Sequence, residues 1–143
     1  MDCRVEAIIQ PDRRTRLSRP LISSYVPAGF PSPAEDYVEG RVDLNRDLIR
    51  HPLTTFYIRV VGDSMVPEIH PGSLLVVDRG MPTNHGNVVV ARINDELCVK
   101  KLSIEKDGSV MLLSVNPRYK PILITEAMDF EVWGRVMHSI RSH

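Results

Sequence analysis

From Thr55 onward the chain consists of short apolar runs separated by turn signals. The runs are about four to eight residues long, which is typical of strands. They cover 55–61, 73–78, 87–93, 96–102, 109–115, 121–124 and 130–137. The intervening turns contain Pro71-Gly72, His85-Gly86, Asn94-Asp95 and Asp107-Gly108. This pattern predicts a mainly β protein with a curled, partly closed antiparallel β-fold rather than a parallel α/β sheet.

Two short helices are predicted ahead of the strands. Ser32-Pro33-Ala34-Glu35 combines a serine N-cap, a proline at the first helical position and a glutamate three residues after the cap. Residues 43–49 predict a further turn or two of helix, ended by His51-Pro52. Residues 1–28 are different, because clustered arginines and three prolines disfavour any long helix. We expect residues 1–28 to form a flexible arm and residues 29–143 one β-rich domain.

Composition excludes several functional classes. Eighteen basic residues balance eighteen acidic residues, and acidic side chains also lie within the arm, so direct DNA binding is not expected. Apolar runs are too short to cross a membrane, and two cysteines, Cys3 and Cys98, do not make a disulfide framework. The five histidines lack metal-ligand spacing. We therefore expect a cytoplasmic protein with no metal and no cofactor.

One turn carries the residue types of a nucleophilic site. Gly62-Asp63 follows the apolar run 56–61 and favours a turn, which leaves Ser64 at a strand end. A serine hydroxyl becomes a good nucleophile only when a neighbouring base takes its proton. The candidate base is a lysine in the strand Leu97–Leu102, where an apolar environment would have to lower its pKa from about 10.4 to about 7 to 8.

Each signal also has a structural interpretation. A Gly-Asp-Ser turn is usually only a turn, and the Lys100-Lys101 pair is compatible with a solvated strand edge. Strand alternation lets only one of these two lysines point into a site, but it does not choose between them. Trp133 is interpreted as a core or dimer-interface residue.

The longer pattern is more specific. Gly-Asp-Ser-Met-x-Pro at 62–67, the run 70–78 and a lysine in an apolar strand together resemble the peptidase S24 family, whose members include UmuD and the LexA-type repressors. The match to the UmuD-like members extends from Gly29 almost to the C-terminus. Its other recognisable parts are Gly29–Ala34, Asp36–Glu39, Asp43–Asn45 and Val99–Leu102.

The resemblance implies a Ser64-Lys100 catalytic dyad and a scissile bond between Ala28 and Gly29. Small residues let a carbonyl approach a nucleophile closely, and a tethered substrate has a high effective concentration, so self-cleavage is favoured. Pro27 lacks an amide donor and would cost one hydrogen bond if the arm docked as an added strand. Residues 1–28 are too few for the helix-turn-helix domain of the LexA-type repressors.

The resemblance also implies partners. These are a second copy of the chain in a homodimer, a RecA filament on single-stranded DNA that stimulates the cut in the SOS response, and an error-prone UmuC-type DNA polymerase that the trimmed form joins. A replication clamp is a further candidate. Two alternatives remain open at this point: a signal-peptidase-like hydrolase, whose motif is similar, and a noncatalytic interaction module with the same fold.

Overall fold

The computed structural model describes residues 2–12, 18–22 and 38–143. The chain divides into two compact units, residues 1–11 with 51–143, and residues 12–50. In its described part, the larger unit contains the strands β1 (Arg4–Ile9), β4 (Thr55–Val61), β5 (Leu74–Asp78), β6 (Val88–Ile93), β7 (Glu96–Ile104), β8 (Val110–Leu113), β9 (Ile122–Leu123) and β10 (Phe130–Ile140). The smaller unit contains β2 (Ser18–Ile22), β3 (Val38–Asp43) and α1 (Leu44–Leu48).

The strands of the larger unit form one antiparallel sheet in the order β1-β4-β5-β10-β6-β7-β8-β9. β1 also pairs with β7, where Arg4 lies opposite Cys98, so six of the strands close on themselves. The Val99 amide donates to the Cys3 carbonyl at 3.0 Å and extends this closure by one bond. The predicted mainly β, partly closed antiparallel fold is therefore confirmed.

The core lies on both faces of the sheet. On β6 the three consecutive residues Val89, Val90 and Ala91 are all fully buried. Val90 belongs to one apolar cluster, with Ile58 and Val99, while Val89 and Ala91 belong to a second. Because successive side chains of a strand point to opposite faces, a continuous apolar run can fill both clusters. β6 is therefore buried on both faces of the sheet.

The long strand β10 bridges β5 and β6 and bends between Val132 and Gly134. A side chain on Gly134 would come within 2.7 Å of the Val77 side chain, so this close approach requires glycine. Trp133 packs against the Phe56 ring at a centroid distance of 5.4 Å, and the Arg79 guanidinium lies 4.5 Å from its centre. Trp133 is thus a packing residue of this sheet.

In the smaller unit, β2 and β3 form an antiparallel pair. The predicted short helix after Asp43 is present as α1, and the Asp43 side chain accepts a hydrogen bond from the Asn45 amide at 3.1 Å, as an N-cap does. The second predicted helix at Ser32–Glu35 and the predicted scissile bond Ala28-Gly29 lie outside the described residues. The division of the chain at residue 28 stays a prediction.

The strand β1 differs from the expected flexible arm. Residues 4–9 pair with β4 along its length, from Arg4 opposite Val61 to Ile9 opposite Tyr57. The pairing joins segments about fifty residues apart, so no local pattern announces it. In addition, Ile8 and Ile9 remain about half exposed, which weakens the apolar signal. Within the described ranges, no helix is long and apolar enough to cross a membrane.

Candidate functional site

A tight turn after β4 presents the candidate nucleophile. Gly62 has φ 86°, in the left-handed region that glycine adopts without strain, and it reverses the chain at the strand end. The Val66 amide donates to the Asp63 carbonyl at 3.1 Å and closes the turn. Ser64 at the centre of this turn is fully buried, as is the following Met65, which packs in the first apolar cluster. Burial of the Met65 side chain therefore fixes the position of the adjacent Ser64.

The segment after β8 holds this turn from the other side. The Asn116 amide donates to the Ser64 carbonyl at 2.9 Å, and the Asn116 side chain donates to the Asp63 carbonyl at 3.1 Å. The Tyr119 hydroxyl donates to the Asp63 carboxylate at 2.5 Å. This bond lowers the pKa of Asp63 and raises the pKa of Tyr119 to about 12. Asp63 therefore stays ionised at neutral pH and keeps its hydrogen bond from Tyr119, which holds the turn in place.

The candidate base reaches the serine from β7. The Lys100 side chain is only 2% exposed, and its ammonium nitrogen lies 3.3 Å from the Ser64 hydroxyl oxygen. Two further acceptors are closer, the Ser114 hydroxyl at 2.7 Å and the Asp2 carboxylate at 2.5 Å. The Tyr119 ring centre is 5.6 Å away. The amine is thus buried, and the part of the chain that the structure describes offers one acceptor for each of its three N–H donors.

Lys101 points elsewhere, which answers the choice that strand alternation left open. Its amine bonds the Glu68 carboxylate at 3.2 Å, and about a third of its side chain is exposed. Lys100 and Lys101 are neighbours on a strand, so their side chains leave opposite faces. Of the two lysines, Lys100 is the one that faces Ser64.

The N-terminal segment also enters the site. The Cys3 amide donates to the Ser64 hydroxyl oxygen at 2.8 Å. Burial of the Asp2 carboxyl opposes its ionisation, but hydrogen bonds from Lys100 and Ser64 and the charge of Lys100 outweigh burial and lower the pKa of Asp2. Asp2 is therefore an anion at neutral pH, and it contacts both members of the candidate dyad.

Two thiols border the site without competing for its chemistry. Burial raises the pKa of Cys3 to about 12 and that of Cys98 to about 11. Because the thiolate is the reactive form of cysteine, both groups are poor nucleophiles at neutral pH. Ser64 remains the candidate nucleophile.

Of the residues predicted from the sequence, Ser64 and Lys100 come together, while Ala28 and Gly29 lie outside the described residues. Sequence reasoning missed Asp2 and Ser114. It also missed Asn116 and Tyr119, which hold the turn that carries Ser64. Asn116 precedes a proline, which marks a turn, but nothing in the local pattern connects that turn to Ser64. Contacts of this kind arise from strand pairing over long distances along the chain.

Comparison with known proteins finds close relatives. The family model described as Peptidase S24-like matches residues 20–137. The chain is 40% identical to protein SamA of Salmonella typhimurium over 124 residues, which cover 86% of this chain and 87% of SamA. It is 38% identical to protein MucA of Escherichia coli over 128 residues, 88% of this chain and 86% of MucA. It is 37% identical to the LexA repressor of Stenotrophomonas maltophilia over 131 residues, 91% of this chain and 61% of that repressor.

Proposed function

Because the chain belongs to the Peptidase S24-like family, we propose that it is a UmuD-like self-cleaving serine peptidase in which Ser64 is the nucleophile and Lys100 the general base. The observation that supports these roles is the 3.3 Å distance between the Ser64 hydroxyl oxygen and the buried Lys100 amine. Heavy atoms at 2.6–3.2 Å exchange protons readily, and resting sites are often slightly longer than this.

The chemistry follows from these two groups. The neutral Lys100 amine takes the Ser64 hydroxyl proton as the hydroxyl oxygen attacks the Ala28 carbonyl carbon. The Ala28-Gly29 bond then breaks, and the ammonium returns its proton to the departing Gly29 amine. Residues 1–28 remain as an ester on Ser64. Water, deprotonated by the same amine, attacks the ester, frees the new carboxylate at Ala28 and restores the serine.

The proposed biological role extends this reaction. In the SOS response, a RecA filament on single-stranded DNA stimulates the cut, and residues 29–143 then act as a homodimeric accessory subunit of a UmuC-type translesion DNA polymerase, with a replication clamp as a further partner. This role is supported by the motifs shared with the UmuD-like proteins and by the likeness to SamA, MucA and LexA over most of the chain.

Incubation of the purified chain tests the proposal. At mildly alkaline pH, which favours a neutral amine, mass spectrometry is expected to find a fragment of residues 29–143 that accumulates with time. Addition of a RecA filament at neutral pH is expected to accelerate its release, whereas RecA without DNA is the control. A fragment beginning at another residue, or a yield that grows with added host protease and not with time, would contradict the proposal.

Ser114 offers a second, independent prediction. Its hydroxyl lies 2.7 Å from the Lys100 amine and positions it. Ser114→Ala is expected to slow fragment release by up to about tenfold, since the hydrogen bond that orients the neutral amine toward Ser64 contributes about 0.5–1.5 kcal/mol. Ser114→Thr, which keeps a hydroxyl, is expected to recover most of the rate. Equal rates for Ser114→Ala and wild type over the whole pH profile would show that Ser114 has no positioning role.

A further inference from the structure

The N-terminal segment occupies the edge of the strand that leads to Ser64. β1 pairs with β4 as far as Val61, three residues before the serine, and Asp2 and Cys3 continue from there into the site. An extended peptide that docks on a protein strand uses this same kind of edge. Any segment that enters beside β4 to reach Ser64 therefore meets β1 in its way.

The bound segment is arranged as a ligand that cannot react. The Cys3 amide points its hydrogen at the Ser64 oxygen at 2.8 Å, so the serine meets the N–H side of the Asp2-Cys3 peptide. In a trans peptide the carbonyl points the opposite way, and attack requires approach above the carbonyl carbon rather than in the peptide plane. The hydroxyl is held, but it is not aimed at a carbonyl.

Asp2 also occupies the amine. An ammonium has three N–H donors and no lone pair, and within the described ranges three acceptors surround Lys100: Asp2, Ser114 and Ser64. To act as a base, the amine must instead accept the proton of Ser64. The Asp2 carboxylate, 2.5 Å away and only partly exposed, stabilises the ammonium that has to be lost.

We propose that residues 2–9 are a built-in inhibitory strand, which pairs along β4 and holds Ser64 and Lys100 in an unreactive arrangement until the cleavage segment around Ala28-Gly29 displaces it. This inference rests on the proposed self-cleavage. Residues 2–10 contain no proline, whereas the cleavage segment has Pro27 one residue before the scissile bond. Each residue from 2 to 9 has an amide hydrogen and Pro27 has none, so the resident strand has one more possible donor to β4 than the cleavage segment.

The test compares Asp2→Asn with the wild type in the complete chain. The other titratable groups around the amine stay unchanged: Cys3 on the same segment, Cys98 on β7, and the Tyr119-Asp63 pair. Loss of the carboxylate is expected to raise the rate of fragment release at neutral pH by about tenfold, because the amine then lacks its anionic hydrogen-bond partner. Glu6→Gln removes an equal charge from the exposed bulge of β1 and is the matched control.

The outcomes separate the inhibitory strand from the proposed function. A faster Asp2→Asn chain beside an unchanged Glu6→Gln chain supports inhibition by the segment. Equal rates of fragment release from wild type, Asp2→Asn and Glu6→Gln overturn it while leaving self-cleavage intact. Absence of the fragment from all three chains at every pH overturns the self-cleavage and the inhibition together.

Discussion

Ser64→Ala and Lys100→Ala are each expected to reduce release of residues 29–143 by about a thousandfold or more. The first change removes the attacking oxygen, and the second removes the group that takes its proton. Mass spectrometry of the purified chains at mildly alkaline pH measures the effect. Lys100→Met is a useful companion, because it fills much of the same buried volume with apolar atoms and so separates loss of the amine from loss of packing.

The chain contains its own control for this experiment. Lys101 lies next to Lys100 but bonds Glu68 at the surface, so Lys101→Ala is expected to cleave within about twofold of the wild-type rate. Fragment release by Ser64→Ala at the wild-type rate would mean that another protease makes the cut. If Lys101→Ala fails to cleave while Lys100→Ala still cleaves, Lys101 rather than Lys100 is the base.

Asp78→Ala is expected to lower the free energy of unfolding by about 3 kcal/mol at pH 7. Asp78 is buried at the end of β5. It accepts hydrogen bonds from the Thr54 hydroxyl at 2.7 Å and the Gly80 amide at 2.8 Å, and it pairs with the His51 ring at 2.6 Å. Removing the carboxylate takes this hydrogen-bond partner away from the Thr54 hydroxyl, the Gly80 amide and the His51 ring. Urea unfolding in a Ser64→Ala background, where the chain stays whole, measures the difference.

The effect of Asp78→Ala depends on pH in a definite direction. Burial opposes ionisation of this carboxyl, but hydrogen bonds from Thr54, His51 and Gly80 outweigh burial and lower its pKa below the ordinary 3.8. A carboxylate with a lowered pKa stabilises the fold above its unfolded pKa and loses that contribution as the pH falls through the folded one.

The difference in the free energy of unfolding between Asp78→Ala and its parent should therefore have its full size at pH 7 and shrink below about pH 4. Asp95→Ala, at an exposed turn, should stay within about 0.5 kcal/mol of the parent. A gap that widens in acid would contradict this role of Asp78.

The sequence predicts the strands of the larger unit well and their pairing poorly. The apolar runs between Thr55 and residue 137 correspond to β4 to β10, because turn residues such as Asn94 and Gly108 mark their ends. The strand order is less accessible. β10 lies between β5 and β6, and β1 closes the sheet between β4 and β7, so these neighbours come from distant parts of the chain.

The candidate site divides along the same line. Ser64 follows from the Gly62-Asp63 turn, and a lysine on β7 follows from the family pattern. Alternation alone does not choose between Lys100 and Lys101, and the surroundings of the amine depend on Ser114 and Asp2, which reach it from 14 and 98 residues away along the chain. A polar residue at the chain start gives no local sign that it will contact a buried amine.

The proton-accepting role of Lys100 can be measured by making the nucleophile independent of a base. A cysteine thiol, with an ordinary pKa of about 8.5, ionises in mild alkali without help, whereas a serine hydroxyl does not. The measurement is the rate of release of residues 29–143 from Ser64→Cys/Lys100→Ala as the pH is raised. We predict that the release rate of this double variant rises as the pH is raised through the alkaline range. Lys100→Ala with its native serine is expected to show no measurable release. If the double variant releases no more fragment than Lys100→Ala, while the Ser64→Cys chain cleaves, the result would contradict the role of Lys100 as the base.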